Sequence, residues 1–170
     1  FIGEWNRTYA FRLQAMDNAG NLSNVAETST AISGGCQGDA YEANLDDEQA
    51  NATPLENGVS QAHNFCGSGD RDWVTFTGQA GVPVLISALP DDLSAAAAII
   101  RVYAHGDSTV LAEAAAPGLT LPATLMFIPP ADGAYDVSFK SIDPNTAGTD
   151  VTYRLRVGPG YWIYFPVIFK

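Results

Sequence analysis

The chain has 170 residues, of which 46% are hydrophobic and 16% charged, with 19 acidic side chains against 8 basic ones and a formal net charge of −11. That composition supports a buried core and excludes a disordered acidic tail. The acidic excess argues against nucleic acid and anionic membrane surfaces as partners, since both need clustered Lys and Arg, and no apolar run reaches the ~18 residues of a membrane helix.

Because it begins at Phe1 rather than Met, the chain is expected to be an internal or processed fragment, with any signal peptide outside it. Its first element is an alternation over 8–15 that puts Tyr9, Phe11 and Leu13 on one face and ends in the turn sequence Asp17-Asn18-Ala19-Gly20-Asn21. The pattern predicts a strand, a turn and a weaker strand through Val25. Two strands alone bury no core. The run TYAFRLQAMDNAGNLS resembles the last two strands of a fibronectin type III domain, and the resemblance implies that residues 1–33 are the tail of such a domain. A short joint follows at Ser33-Gly34-Gly35.

Cys36 and Cys66, the two cysteines, flank an acidic stretch and both lie in Gly-rich turn sequence. They form either one disulfide or two buried thiols. A disulfide would stabilise by about 3 to 4 kcal/mol through chain entropy and would indicate an oxidising, extracellular compartment. From Asp39 to Asp72 the chain carries Asp39, Glu42, Asp46, Asp47, Glu48, Glu56, Asp70 and Asp72 with Arg71 as the sole Lys or Arg, so a cation is expected there.

Beyond this stretch, short alternating runs at 72–77, 83–89, 98–104, 109–113, 123–128, 134–140 and 151–157 are separated by turn signals, which predicts an all-β sandwich or barrel. Val74 and Phe76 are expected to face inward. In the last run Val151, Tyr153, Leu155 and Val157 oppose Thr152, Arg154 and Arg156, so one face is buried and one is wet. The stretch 93–98 is rich in Ala but too short for a helix of its own, and is read as a loop entering a strand.

In order along the chain come Asp39-Ala40-Tyr41-Glu42-Ala43-Asn44, Ala52-Thr53-Pro54-Leu55, His63-Asn64-Phe65-Cys66, Gly69-Asp70-Arg71-Asp72-Trp73-Val74-Thr75-Phe76, Gly81 and Gly133-Ala134-Tyr135-Asp136-Val137. This succession resembles the bacterial pre-peptidase C-terminal domain over 36–158. The resemblance implies a jelly-roll-like antiparallel β-sandwich without catalysis of its own, appended to a secreted peptidase or another extracellular protein. It also implies calcium, which some members bind between the acidic segment and the Gly-Asp-x-Asp turn. Glu42, Asn44, Asp70 and Asp72 match those positions, with Asp46 and Asp47 as additional ligands. A hard divalent cation wants six to eight such oxygens. The chain departs from the family at Ala43 and Leu45, and Ala114-Ala115-Ala116 after Glu113 replaces an acidic pair, so no second calcium is expected. The alternative leaves the acids in water, with Asp70 and Asp72 capping a turn.

His63 and His105 are the only histidines, and no zinc, nucleophile-elbow or Cys-x-x-Cys signature occurs. His63 is expected to order the loop beside Cys66, and Trp73 to pack. After Gly158-Pro159-Gly160, residues 159–170 form an aromatic tail or final strand, in which Tyr161, Trp162, Tyr164 and Phe165 are the candidates for an interface or a glycan. The expected function is a non-catalytic accessory module of a secreted or cell-surface protein that positions or attaches its neighbouring domains. The alternatives are a self-assembling subunit pairing through edge strands and a carbohydrate-binding module.

Overall fold

The computed structural model describes residues 7–32, 36–42 and 46–160. The chain divides into two compact units, Phe1–Gln37 and Gly38–Lys170. No helix among the described residues is long and apolar enough to cross a membrane.

The first unit is a two-stranded antiparallel sheet of β1 (Arg7–Leu13) and β2 (Ala26–Ile32). The return strand therefore begins after Val25, where the sequence pattern ended it. Ser23 explains the delay. Its hydroxyl accepts the Ala15 N–H and donates to the Asn24 carbonyl. The backbone adds the Ser23 N–H on the Ala15 carbonyl and an isolated Met16–Leu22 bridge, so no continuous ladder forms there. The turn itself forms as the sequence predicts, with the Asp17 carboxylate accepting the Ala19 and Asn21 N–H groups and Gly20 at φ +88°.

The second unit is an all-β sandwich. One sheet has five strands in the order β3 (Thr53–Pro54), β5 (Arg71–Gly78), β10 (Gly133–Ser141), β7 (Ala98–Ala104) and β8 (Val110–Ala115). The other has four, in the order β4 (Ser60–Asn64), β11 (Thr152–Pro159), β6 (Val84–Pro90) and β9 (Ala123–Phe127). All pairs are antiparallel except β3 with β5, a parallel contact that the expected antiparallel sandwich did not include. Alternation places Val74 and Phe76 of β5, Val137 and Phe139 of β10, and Tyr153, Leu155 and Val157 of β11 in one shared core. Residues 93–98 form no helix: Leu93 sits at φ 66° in a turn closed by the Ser94 N–H on the Asp91 carbonyl, and β7 begins at Ala98.

Two strands escaped the sequence reading. β3 is only two residues long, and β4, Ser-Gln-Ala-His-Asn, has a polar inward face in His63 and so lacks a hydrophobic alternation. β4 and β5 lie in different sheets, and the segment 65–70 carries the chain from one to the other at the edge of the sandwich.

Candidate metal centre

At that crossing the acidic segment meets the core. β4 contributes His63, 1% exposed, and β5 contributes Asp72, also 1% exposed, while Asp39 and Asp46 approach from the segment before β3. His63 Nδ1 lies 3.2 Å from Asp72 Oδ1, 3.3 Å from Asp39 Oδ2 and 3.7 Å from Asp46 Oδ2. Its other nitrogen faces Gln61 Oε1 at 3.3 Å, and the Gln61 amide is oriented by donating to the Pro54 carbonyl at 2.9 Å. Both ring nitrogens thus face acceptors, and only an imidazolium satisfies both. Burial opposes that charge, but the hydrogen bonds and charges of Asp39 and Asp72 outweigh it and raise His63 from 6.5 to about 9. Tyr41 stacks on the ring at 4.5 Å between centroids.

The ligand atoms of Asp39, His63 and Asp72 lie within 4.8 Å of one another, close enough for a metal. The geometry instead fills this inner space with the imidazolium. Asp72 gives Oδ1 to His63 and accepts the Tyr153 hydroxyl on Oδ2. Asp39 accepts the Tyr41 N–H at 2.8 Å and the Asn64 N–H at 3.0 Å. Burial would raise Asp39, yet the His63 bond and these N–H groups hold it below the usual range.

Outside this inner group lies a cavity of about 250 Å³ lined by Glu42, Asp47, Asp70 and the Cys66-Gly67-Ser68-Gly69 loop. The loop is shaped by Gly69 at φ +90°, the Asp70 N–H on the Gly67 carbonyl, and the Cys66 N–H on the Asp70 carboxylate. A residue with a β-carbon is strained at that φ. Asp47 accepts the Arg71 N–H at 3.1 Å. Two buried carboxylate oxygens have no hydrogen-bond partner: Glu42 Oε1 and Asp46 Oδ2. Burial first, and then the charge of Asp46 beside it, pushes Glu42 up to about 7. Burial and Asp72 raise Asp46 to about 6 and Asp70 to about 8. Six carboxylates gather here, and among the described residues His63 is the only side-chain cation paired with any of them.

Of the ligands expected from sequence, Glu42, Asp47 and Asp70 line the cavity, whereas Asp46 and Asp72 stand behind it, around His63. Asn44 lies outside the described residues. Cys36 and Cys66 are disulfide-bonded. The inner roles of His63 and Tyr153 were missed: the first was expected only to order a loop and the second only to pack, and nothing local marks a Tyr as the partner of a residue far along the chain. Asp70 does cap its turn, as the alternative reading held, and it lines the cavity as well. Tyr161, Trp162, Tyr164 and Phe165 lie outside the described residues, while Trp73 is buried as expected, in a ring contact with Tyr103.

The sequence matches no family model and no curated protein. Among solved structures it is similar to the pre-peptidase C-terminal domain of the collagenase from Bacillus anthracis, at 21% identity over 62% of this chain and 93% of that one, with a TM-score of 0.49. PliG of Aeromonas hydrophila, a periplasmic inhibitor of g-type lysozyme, follows at 12% identity over 62% and 96%, with a TM-score of 0.34. A structure of carbohydrate-binding modules from the β-sandwich superfamily matches at 13% identity over 89% and 72%, with a TM-score of 0.32. None reaches a TM-score of one half, so the β-sandwich rests on the strand pairing described above.

Proposed function

We propose that this chain is a non-catalytic, extracellular accessory module of a larger protein, and that its acidic lobe takes up one calcium ion. The ion would sit in the cavity, on Glu42, Asp47 and Asp70 with carbonyls of the glycine-rich loop, and Asp46 behind them. The observation that carries the reading is Glu42 Oε1: it belongs to a residue lining the cavity, is buried and has no hydrogen-bond partner, and Asp46 Oδ2 behind it lacks one as well. A buried carboxylate in that position is costly unless a cation reaches it. An all-oxygen set on a loop suits calcium better than magnesium, which holds its water and demands a tighter octahedron.

The accessory role is supported by the way the histidines are used. His63 is shut away from solvent among carboxylates, and His105 is paired with Asp136 at 2.8 Å. The disulfide supports an oxidising compartment. In this reading the module works mechanically: the ion and the disulfide hold the acidic segment against the sandwich. Calorimetric titration of the purified chain with calcium and with magnesium tests it. Saturable one-to-one uptake of calcium, with much weaker uptake of magnesium, is expected; no heat and no calcium-dependent rise in melting temperature would refute it.

A further inference from the structure

Residues 46–55 leave β5 beside Trp73 and return to it beside Val74 and Thr75 as a strap, and they carry two of the carboxylates of the cation site. The strap is fixed to β5 at its two ends. At the start the Trp73 N–H donates to the Asp46 carbonyl at 3.0 Å, and at the finish β3 pairs with β5 and the Leu55 N–H donates to the Thr75 carbonyl at 2.8 Å. Trp73 and Tyr103 alternate with the core residues of β5 and β7, yet they are only 5% and 6% exposed while lying outside the core cluster. The outward face of this sheet is therefore covered at Trp73 and Tyr103.

Between its two fixed ends the strap makes a 3-10 turn, Gln49–Asn51, that has no buried residue and no side-chain cap. No apolar anchor holds it. The Gln49 amide reaches from it into the sheet, its Nε2 donating to Asp136 Oδ2 and to the Asp107 carbonyl, each at 2.9 Å. Asp136, on β10, is fully buried, and its carboxylate also accepts His105 Nδ1 at 2.8 Å and the Gly106 N–H at 2.9 Å. The receptor for Gln49 is thus held by two further donors and is ionised. A hydrogen bond to such a group is stronger than one between neutral partners.

We propose that Gln49 is a positioning residue of the cation site: anchored on Asp136, it holds the strap so that Asp46 and Asp47 already face Glu42 and Asp70 when the ion arrives. The inference rests on the calcium reading above. Asp46 and Asp47 lie three and two residues before Gln49, and each keeps one bond to β5, through the Trp73 and Arg71 N–H groups, so slack in the turn leaves each residue tied to β5 by that bond alone. Without the anchor the ion must order what the end bonds leave slack, and the cost appears as lost affinity rather than lost fold.

The test uses the full chain with Gln49→Leu, which removes the amide at similar length, and Gln49→Asn, which keeps the amide but shortens its reach. Both are read by calcium titration well below the melting temperature and by hydrogen exchange of residues 46–52 in chelator. The expected result is calcium affinity about tenfold weaker, equal to about 1.4 kcal/mol, and faster exchange confined to the strap. A purely structural Gln49 would lower the melting temperature of the calcium-free and calcium-bound forms alike and leave the affinity unchanged. Unchanged affinity in both variants, beside a wild type that binds calcium, overturns the positioning role alone. A wild type that takes up no calcium overturns the calcium reading, and this role with it.

Discussion

In chelator, raising the pH from 5 to 8 should destabilise the calcium-free domain, and calcium should cancel the loss. Glu42, Asp46 and Asp70 stand at about 7, 6 and 8 in the fold against ordinary values of 4.5, 3.8 and 3.8. A raised carboxylate binds its proton more tightly in the folded than in the unfolded chain. The stability it lends is complete below the unfolded value and disappears as pH climbs through the folded one. His63, raised from 6.5 to about 9, acts with the same sign over a higher window, its contribution complete below 6.5 and lost through 9. Asp39 and Asp136 are lowered, so their contribution fails only as pH falls below the usual carboxylate range. Asp46 is 1% exposed and gives the firmest figure: at about 1.4 kcal/mol per unit, roughly one unit of its shift falls between pH 5 and 8. Glu42 and Asp70 border the open cavity, and with their shifts halved for water screening they bring the three carboxylates to about 4 kcal/mol, to which His63 adds in the same direction above pH 6.5. At roughly 3 °C per kcal/mol for a domain of this size, the melting temperature in chelator falls by about 10 °C. Calcium binds the deprotonated set, so its stabilising shift is large at pH 8 and small at pH 5, where protons compete. Scanning calorimetry at both pH values, with chelator and with excess calcium, measures all four states. A chelated melting temperature that holds or rises from pH 5 to 8, or a calcium shift equal at both, would refute the argument.

Four further outcomes follow from the same geometry. Glu42→Gln removes a charge from a crowded cavity, so the melting temperature in chelator should rise by a few degrees while calcium affinity drops at least tenfold in titration; a fall in both would mean Glu42 is structural. His63→Gln strips the imidazolium from Asp39, Asp46 and Asp72 and should cost about 3 to 5 kcal/mol at pH 8 by urea denaturation in chelator, and less at pH 5, where the acids take up protons. Tyr153→Phe takes a donor from the buried Asp72 and should cost about 1 to 3 kcal/mol by the same assay, with the fold retained by circular dichroism. Reducing the Cys36–Cys66 disulfide should cost about 3 to 4 kcal/mol, read as a lower urea midpoint in reductant; an unchanged midpoint would show that the loop is held by other bonds.

The strands that could be read from sequence are those whose inward face is apolar. Val74 and Phe76, or Tyr153, Leu155 and Val157, alternate with polar residues and announce both strand and orientation. β4 breaks the rule because its inward residue is His63, and a charged ring looks solvent-facing until the carboxylates around it are known. The same limit applies to the site. The acidic excess between Asp39 and Asp72 was legible as a demand for positive charge, but composition cannot say how that demand is divided. The fold divides it by topology. β4 and β5 bring His63 against Asp39, Asp46 and Asp72, giving the inner carboxylates a resident cation, while Glu42, Asp47 and Asp70 stand one layer out around a cavity with none. Asp46, with its unpartnered oxygen, belongs to both layers. The anchoring of its strap depends on Gln49 meeting a residue 87 positions away, a pairing that no local pattern encodes. Equal-looking aspartates in one short stretch thus end in different roles, because a carboxylate already satisfied by an imidazolium gains little from a metal, and one left beside an open cavity gains much.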